Sequence, residues 1–242
     1  MTISKKHLII LLILTPIFLS AQKRDWRNFK LNLDRIVEVQ DSFVMKRNNE
    51  KIGSWNWNVK VTEKSITFTD RSVLFEKVWE DAIFEVDKNS LEEFKIDLKM
   101  IIGENSVQNN NRIKEQHLTG LFTRTVKTHT TFFELDSNYA NLQIVPRAIF
   151  LGLLPAIINA EGFTTDINFY SGPTHSILPV KLTVKPTKTV TVEAGTFETT
   201  PIEILKQEGQ GVSNIFYLRK DYPYTPVRVD VIEQNMVLEL SK

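Results

Sequence analysis

Residues 190–205, VTVEAGTFETTPIEIL, and residues 214–240, NIFYLRKDYPYTPVRVDVIEQNMVLEL, carry the reading that decides the fold class. Phe216 and Leu218 alternate with Ile215, Tyr217 and Arg219. Val227, Val229 and Val231 alternate with Arg228 and Asp230, and Met236, Leu238 and Leu240 with Val237 and Glu239. A period of two predicts strands with one buried face. Turn-forming residues fill each gap, at 193–196, 208–211, 220–223 and 233–235. The stretch is therefore expected to be a meander of antiparallel strands. No catalytic motif sits on it.

The same alternation extends toward the N-terminus. Residues 53–61, GSWNWNVKV, place Trp55, Trp57, Val59 and Val61 on one face and Asn56, Asn58 and Lys60 on the other. Ile66 and Phe68 continue it after a Glu63-Lys64 turn, which predicts a hairpin. Asn48 and Asn49 mark the turn before it. Phe84 and Val86 read as a short strand. Around residues 31–39 a helix and a strand both stay open. Residues 91–100 fit both periods, and the strand is preferred because Lys95, Asp97 and Lys99 then share a face. Residues 106–114, SVQNNNRIK, read as a polar hairpin tip or mobile loop. Residues 122–133 read as one Thr-rich strand. Pro173 and Pro179 read as breaks, with Leu182 and Val184 the next alternating pair.

Residues 144–158 differ, being almost continuously apolar with Arg147 as the one charge. Pro146 stands where a helix begins and Pro155 where it breaks. A short buried helix packed against the sheet is expected. The stretch is too short to span a bilayer.

The first residues predict export. Lys5, Lys6 and His7 are basic, residues 8–19 are apolar, and Ser20-Ala21 makes a small-residue exit. Cleavage after Ala21 would leave Gln22 first and change the formal charge from +1 to −1, so no net charge draws the chain to nucleic acid or anionic lipid. With no cysteine, a lipid-modified N-terminus, disulfides and thiolate metal sites are excluded. Residues 1–21 are thus read as a signal and residues 22–242 as a single domain, its texture changing near Asn141 between the halves 22–140 and 141–242. The chain is expected in the periplasm or outside the cell, with no integral span in the mature protein.

Residues 147–240 resemble an uncharacterised envelope family, number 3108 among the domains of unknown function. The similar features are Arg147-Ala148 opening an apolar helical stretch, Gly162, the V-x-V-x-A-G-T-F turn at 190–197, Phe216-Tyr217, Asp221 and Pro226-Val227-Arg228-Val229. The resemblance implies a mainly β fold, a strongly curved antiparallel sheet or half-barrel around a short apolar helix. Such an architecture is similar to that of periplasmic lipoprotein carriers. It implies no reaction and no catalytic residues.

Candidate chemistry is sparse. His117, His129 and His175 lack the spacing of a metal pair and read as solvated surface residues, so no metal or cofactor is expected. Ser171 near His175 lacks a nucleophile elbow, and Gly209-Gln210-Gly211 lacks the helix of a phosphate loop. Glu80-Asp81 reads as a solvated acidic run, because adjacent strand residues point to opposite faces. Trp55 and Trp57 either fill the concave face or floor a pocket. Arg147 needs a partner, with Asp221 or Asp230 the favoured ones, or else holds an anionic head. The expectation is a non-enzymatic envelope protein whose ligand site comprises Trp55, Trp57, Arg147, Phe150 and Leu154. Its partner would be a hydrophobic small molecule or lipid, or another envelope protein's segment. The alternative is a structural component with a filled core, and a hydrolase of cell-surface polymers stands third. An apolar cavity favours binding, and polar side chains clustered around Glu80 or His175 would favour the enzyme.

Overall fold

The computed structural model describes residues 26–206 and 211–241. The expected signal at 1–21, the start at Gln22 and most of the turn at 208–211 lie outside the described residues. Two 3-10 turns, Trp26–Asn28 and Leu33–Arg35, precede β1 (Val39–Arg47), β2 (Glu50–Val61), β3 (Ser65–Leu74) and β4 (Val78–Asp87). There follow β5 (Glu93–Ile102), β6 (Asn105–Lys114), β7 (His117–Val126) and β8 (His129–Asn138). A short strand, β9 (Ile144–Pro146), leads into helix α1 (Arg147–Leu153) and the 3-10 turn Leu154–Ala156. Next come β10 (Thr164–Ser171), β11 (Ser176–Val184), β12 (Lys188–Val192), β13 (Gly195–Lys206) and β14 (Val212–Arg219). The chain ends with β15 (Pro226–Val231), the 3-10 turn Ile232–Gln234 and β16 (Met236–Leu240).

All strands belong to one sheet, in the order β8-β7-β6-β5-β4-β3-β2-β1-β16-β15-β14-β13-β11-β10-β9, with β12 attached beside β13. The described residues are mainly β, with one short helix. Pairing is antiparallel except between β9 and β10, which run parallel, so the sheet is mixed rather than wholly antiparallel. The end strands β8 and β9 are not paired with each other, and the sheet stays open. It nevertheless folds over. Asn109 on β6 donates from Nδ2 to the Tyr170 hydroxyl on β10 at 3.2 Å and to the Gly172 carbonyl at 2.8 Å. In a flat sheet those strands would lie roughly 50 Å apart, at about 4.8 Å per step.

Antiparallel register stacks inward-facing side chains into rows across the strands. Val61, Ile66, Val86, Phe94, Ile113 and Leu118 form one row, wholly apolar. The next rows hold Val59, Phe68, Phe84, Ile96 and Asn111, then Trp57, Asp70, Ala82, Leu98 and Asn109. The row beyond those has Trp55, Ser72, Glu80 and Met100. The lining thus changes from oily to charged along the strand direction. Helix α1 lies over the apolar rows. Phe150 on it is 1% exposed and meets Trp26, Phe29 and Phe169 at ring separations of 6.4, 5.6 and 5.4 Å. On the sheet's other face β12 covers a small separate cluster of Val190, Val192, Tyr217 and Val227.

The meander at the C-terminus and the strand over residues 93–102 form as expected, and 144–158 contains the short buried helix. Three local expectations need correction. Residues 106–114 lie in β6, not in a loop: Asn109 and Asn111 alternate inward with Val107 and Ile113, and both side-chain Nδ2 groups donate to the Tyr170 hydroxyl, while the Asn111 Oδ1 has no hydrogen-bond partner. Buried polar groups of a weak strand former are tolerated when they are bonded. Residues 122–133 are two strands, β7 and β8, turning at Lys127, whose φ is +53°. Pro179 lies inside β11 rather than at a break. Its pairing with β13 begins only at Val180, so the missing N–H removes no bond there.

Gly152 on α1 packs flat against the Phe68 ring, where a Cβ would sit 2.5 Å from a ring carbon. Helix propensity favours alanine over glycine by about 0.5–1 kcal/mol, but overpacking a full core costs about 1–3 kcal/mol. The clash wins, and Gly152→Ala is expected to lower stability by about 1–2 kcal/mol in denaturant titration. Gly195 opens β13 with φ at +144°, a conformation L side chains rarely adopt. Gly195→Val is expected to destabilise by about 1–3 kcal/mol, and unchanged melting would remove the strain account.

Candidate functional site

Where α1 leaves the sheet uncovered, a cavity of about 240 Å³ remains. Its wall comes from both ends of the chain, because β1 pairs with β16 and so carries the C-terminal meander alongside the Trp strand. Met45, Trp55 and Trp57 come from β1 and β2, Phe216, Val229 and Leu238 from the meander, and Ala148 and Leu151 from α1. An aromatic ladder backs it: Phe43–Trp55 at 4.7 Å, Trp55–Trp57 at 5.4 Å and Trp57–Phe68 at 5.5 Å, the last pair stacked. Indoles on alternating positions of one strand face produce this contact directly.

Asp70, Glu80 and Arg147 face this cavity too. Asp70 shares its strand face with Ile66 and Phe68, both wholly buried. The Trp55 indole Nε1–H donates to its Oδ1 at 2.9 Å. Burial and the neighbouring Glu80 carboxylate push the Asp70 carboxyl well above the usual carboxylate range, against the opposing pull of the indole N–H and Arg147. Burial likewise raises Glu80, with Arg147 opposing. Arg147 is exposed by surface area, yet the protein packed around it still lowers its pKa through desolvation. Glu80, Asp70 and, more weakly, Glu233 pull it the other way. Among the described residues neither Arg147 nor Glu80 has a side-chain partner at hydrogen-bond or ion-pair distance. The three charges sense one another across a gap.

The structure thus brings Trp55, Trp57 and Arg147 to one cavity and separates Phe150 and Leu154 from it. Phe150 and Leu154 are 1% and 0% exposed and pack in the core, while Ala148 and Leu151 occupy the cavity side of the helix. Arg147 does not pair with Asp221 or Asp230. Asp221 binds Arg219 at 2.8 Å and Asp230 binds Arg228 at 2.6 Å. Glu80 is not part of a solvated run. Asp81 points outward to Arg71 at 3.2 Å, and Glu80 inward, as strand alternation requires. Sequence reasoning passed over Asp70, although its parity with Ile66 and Phe68 already marks it as inward-facing.

A second polar cluster surrounds His175, which is half-buried rather than a solvated surface residue. Its Nδ1 lies 3.1 Å from the Tyr170 hydroxyl, which also accepts from Asn109 and Asn111. Burial lowers the imidazole pKa and raises the phenol to about 12. The cluster ties β6 to β10 and offers no activated nucleophile. His117 is exposed and pairs with Asp136 at 2.6 Å. No group of three or more His, Cys, Asp or Glu suited to a metal ion occurs among the described residues. A wider depression of about 1110 Å³ runs along the hairpin ends near Phe75 and Ile102. Those residues are 44% and 46% exposed, and it is a surface feature.

Raised carboxyl values have a sign. A group that binds its proton more tightly when folded adds stability below its unfolded pKa, and that stability is lost as pH rises through the folded value. Asp70→Asn and Glu80→Gln are therefore expected to raise the melting temperature near neutral pH. The gain should shrink as pH falls into the ordinary carboxylate range. A gain that is constant with pH, or a loss at neutral pH, would contradict the burial account.

No family model matches the chain, and no curated protein matches it. The assignment to family number 3108 is accordingly not supported. Among solved structures the chain is similar to a beta-barrel-like protein of domain of unknown function DUF1849 from Brucella abortus, at 11% identity and a TM-score of 0.55. The likeness covers 86% of this chain and 97% of that one. It supports an uncharacterised beta-barrel-like fold, and at that identity the fold alone. No helix among the described residues is long and apolar enough to cross a membrane.

Proposed function

We propose that the protein is a non-enzymatic binding protein of the cell envelope, exported by its N-terminal signal. On this reading the folded-over sheet acts as a half-barrel whose interior receives a hydrophobic ligand or partner segment. The observation that carries it is the cavity of about 240 Å³ walled by Trp57, Leu151 and Phe216 and lined also by Asp70, Glu80 and Arg147. Native cores leave few voids larger than a water molecule, since each forfeits dispersion contacts. A lined space of this size, kept beside an otherwise dense core, supports binding over a filled structural interior.

Asp70 and Glu80, with Arg147 beside them, form the polar cluster that keeps a hydrolase as a further reading, and the apolar lining of the rest of the cavity is what favours binding over it.

Phenylnaphthylamine, a neutral probe that brightens in apolar surroundings, tests the reading. The wild type is expected to brighten it, and Ala148→Phe, which fills the cavity from α1, to abolish the signal with little change in melting. Phe150→Ala, truncating a packed ring, is expected to cost about 3–5 kcal/mol while the folded fraction still binds. Absence of a wild-type signal, or one that Ala148→Phe leaves untouched, would put assembly through the surface in front.

A further inference from the structure

The ligand-binding reading leaves open what the polar end of the cavity recognises. Two carboxylates and one guanidinium line it. Asp70 has one oxygen engaged by Trp55, while Arg147 and Glu80 have no partner at bonding distance among the described residues. A charge surrounded by protein is tolerated when paired and bonded, and one left single is destabilising. Here the opposite charges come from facing elements, Asp70 and Glu80 from β3 and β4 and Arg147 from the start of α1. Both carboxyls act on Arg147, and Arg147 on each of them, without closing a pair.

A ligand of one sign serves such a site poorly. A fatty-acid carboxylate could take Arg147 but would stand against Asp70 and Glu80. A simple ammonium would satisfy the carboxylates and face the guanidinium. A head carrying both signs answers each group in place. Guanidinium geometry suits the planar or tetrahedral oxygens of a carboxylate or phosphate. An ammonium suits two carboxylates with the Trp55 indole beside them, whose face attracts cations. Size sets the rest. At about 240 Å³ the cavity falls just below the roughly 300–1,000 Å³ of drug-sized sites.

We propose that the cavity takes a small amphiphile with a zwitterionic head, its anionic group on Arg147, its ammonium between Asp70 and Glu80, and its apolar part against Trp57 and Leu151. This inference rests on the binding reading above. Such a head occurs in an amino acid with an apolar side chain and in the phosphoethanolamine end of a lipid, and the test separates them.

Tryptophan fluorescence reads occupancy, because Trp55 and Trp57 line the cavity. The full protein is titrated with a matched eight-carbon series: octanol, octylamine, octanoate, the α-amino acid aminooctanoate and octyl phosphoethanolamine. At least one zwitterion is expected to bind about tenfold or more tightly than both octylamine and octanoate. The tighter of the two identifies the source of the head. Arg147→Met should remove the advantage over octylamine and leave that over octanoate, and Glu80→Gln should do the reverse. Circular dichroism checks each variant, and the wild-type ranking decides alone where a variant does not fold. Octanol or octylamine binding as tightly as the zwitterions would overturn the inference while the binding reading stands. If no member of the series binds, the binding reading fails and the inference with it.

Discussion

The structure depends on covering one very broad apolar face. Fifteen strands follow a single open path, and their inward rows from Val61–Ile66 to Trp57–Leu98 cannot be left in water. At about 25 cal/mol per Å² of apolar surface buried, the drive to cover them is large. Little besides the sheet is available to do it. Helix α1 has seven residues and the 3-10 turns three each, so the sheet must also cover itself. It does so by curling until β6 meets β10.

That self-covering explains the placing of polar groups. Where the two ends of the sheet meet, Asn109 and Asn111 bond Tyr170, and Gln116 accepts from the Ile144 N–H at 2.6 Å. These are directional contacts at a seam, where apolar packing alone would tolerate sliding. The helix and the 3-10 turn after it cover the apolar rows through Phe150, Leu153 and Leu154, all nearly inaccessible. Its first residue is Arg147, so the charged end of the helix falls over the charged end of the sheet. The cavity is the space left where a short helix stops short of the outermost row.

Legibility followed periodicity. The strand around Trp55 and Trp57, the meander and the residues of α1 were readable because apolar alternation and flanking prolines are local signals. Asn109-Asn110-Asn111 was misread because strand propensity treats Asn as a turn former, and its partner, the Tyr170 hydroxyl, lies 61 residues from Asn109 in sequence. The Lys127 turn was missed because no glycine or Asn-Gly pair announces it. Phe150 and Leu154 were assigned to the ligand space because both are apolar. Which side of a seven-residue helix faces a cavity is set by its neighbours, and Leu151 took that place.

The sequence by itself determined strands with one buried face, a single short apolar helix, and a chain held without disulfides, since these follow from residue type at short spacing. Asp70 facing inward was implied by parity as well. What only the tertiary structure decided is the company Asp70 keeps. Its carboxyl, that of Glu80 and the Arg147 guanidinium belong to three elements, and register together with the curl of the sheet brings them round one space. Local spacing says which way a side chain points; it does not say what will stand opposite.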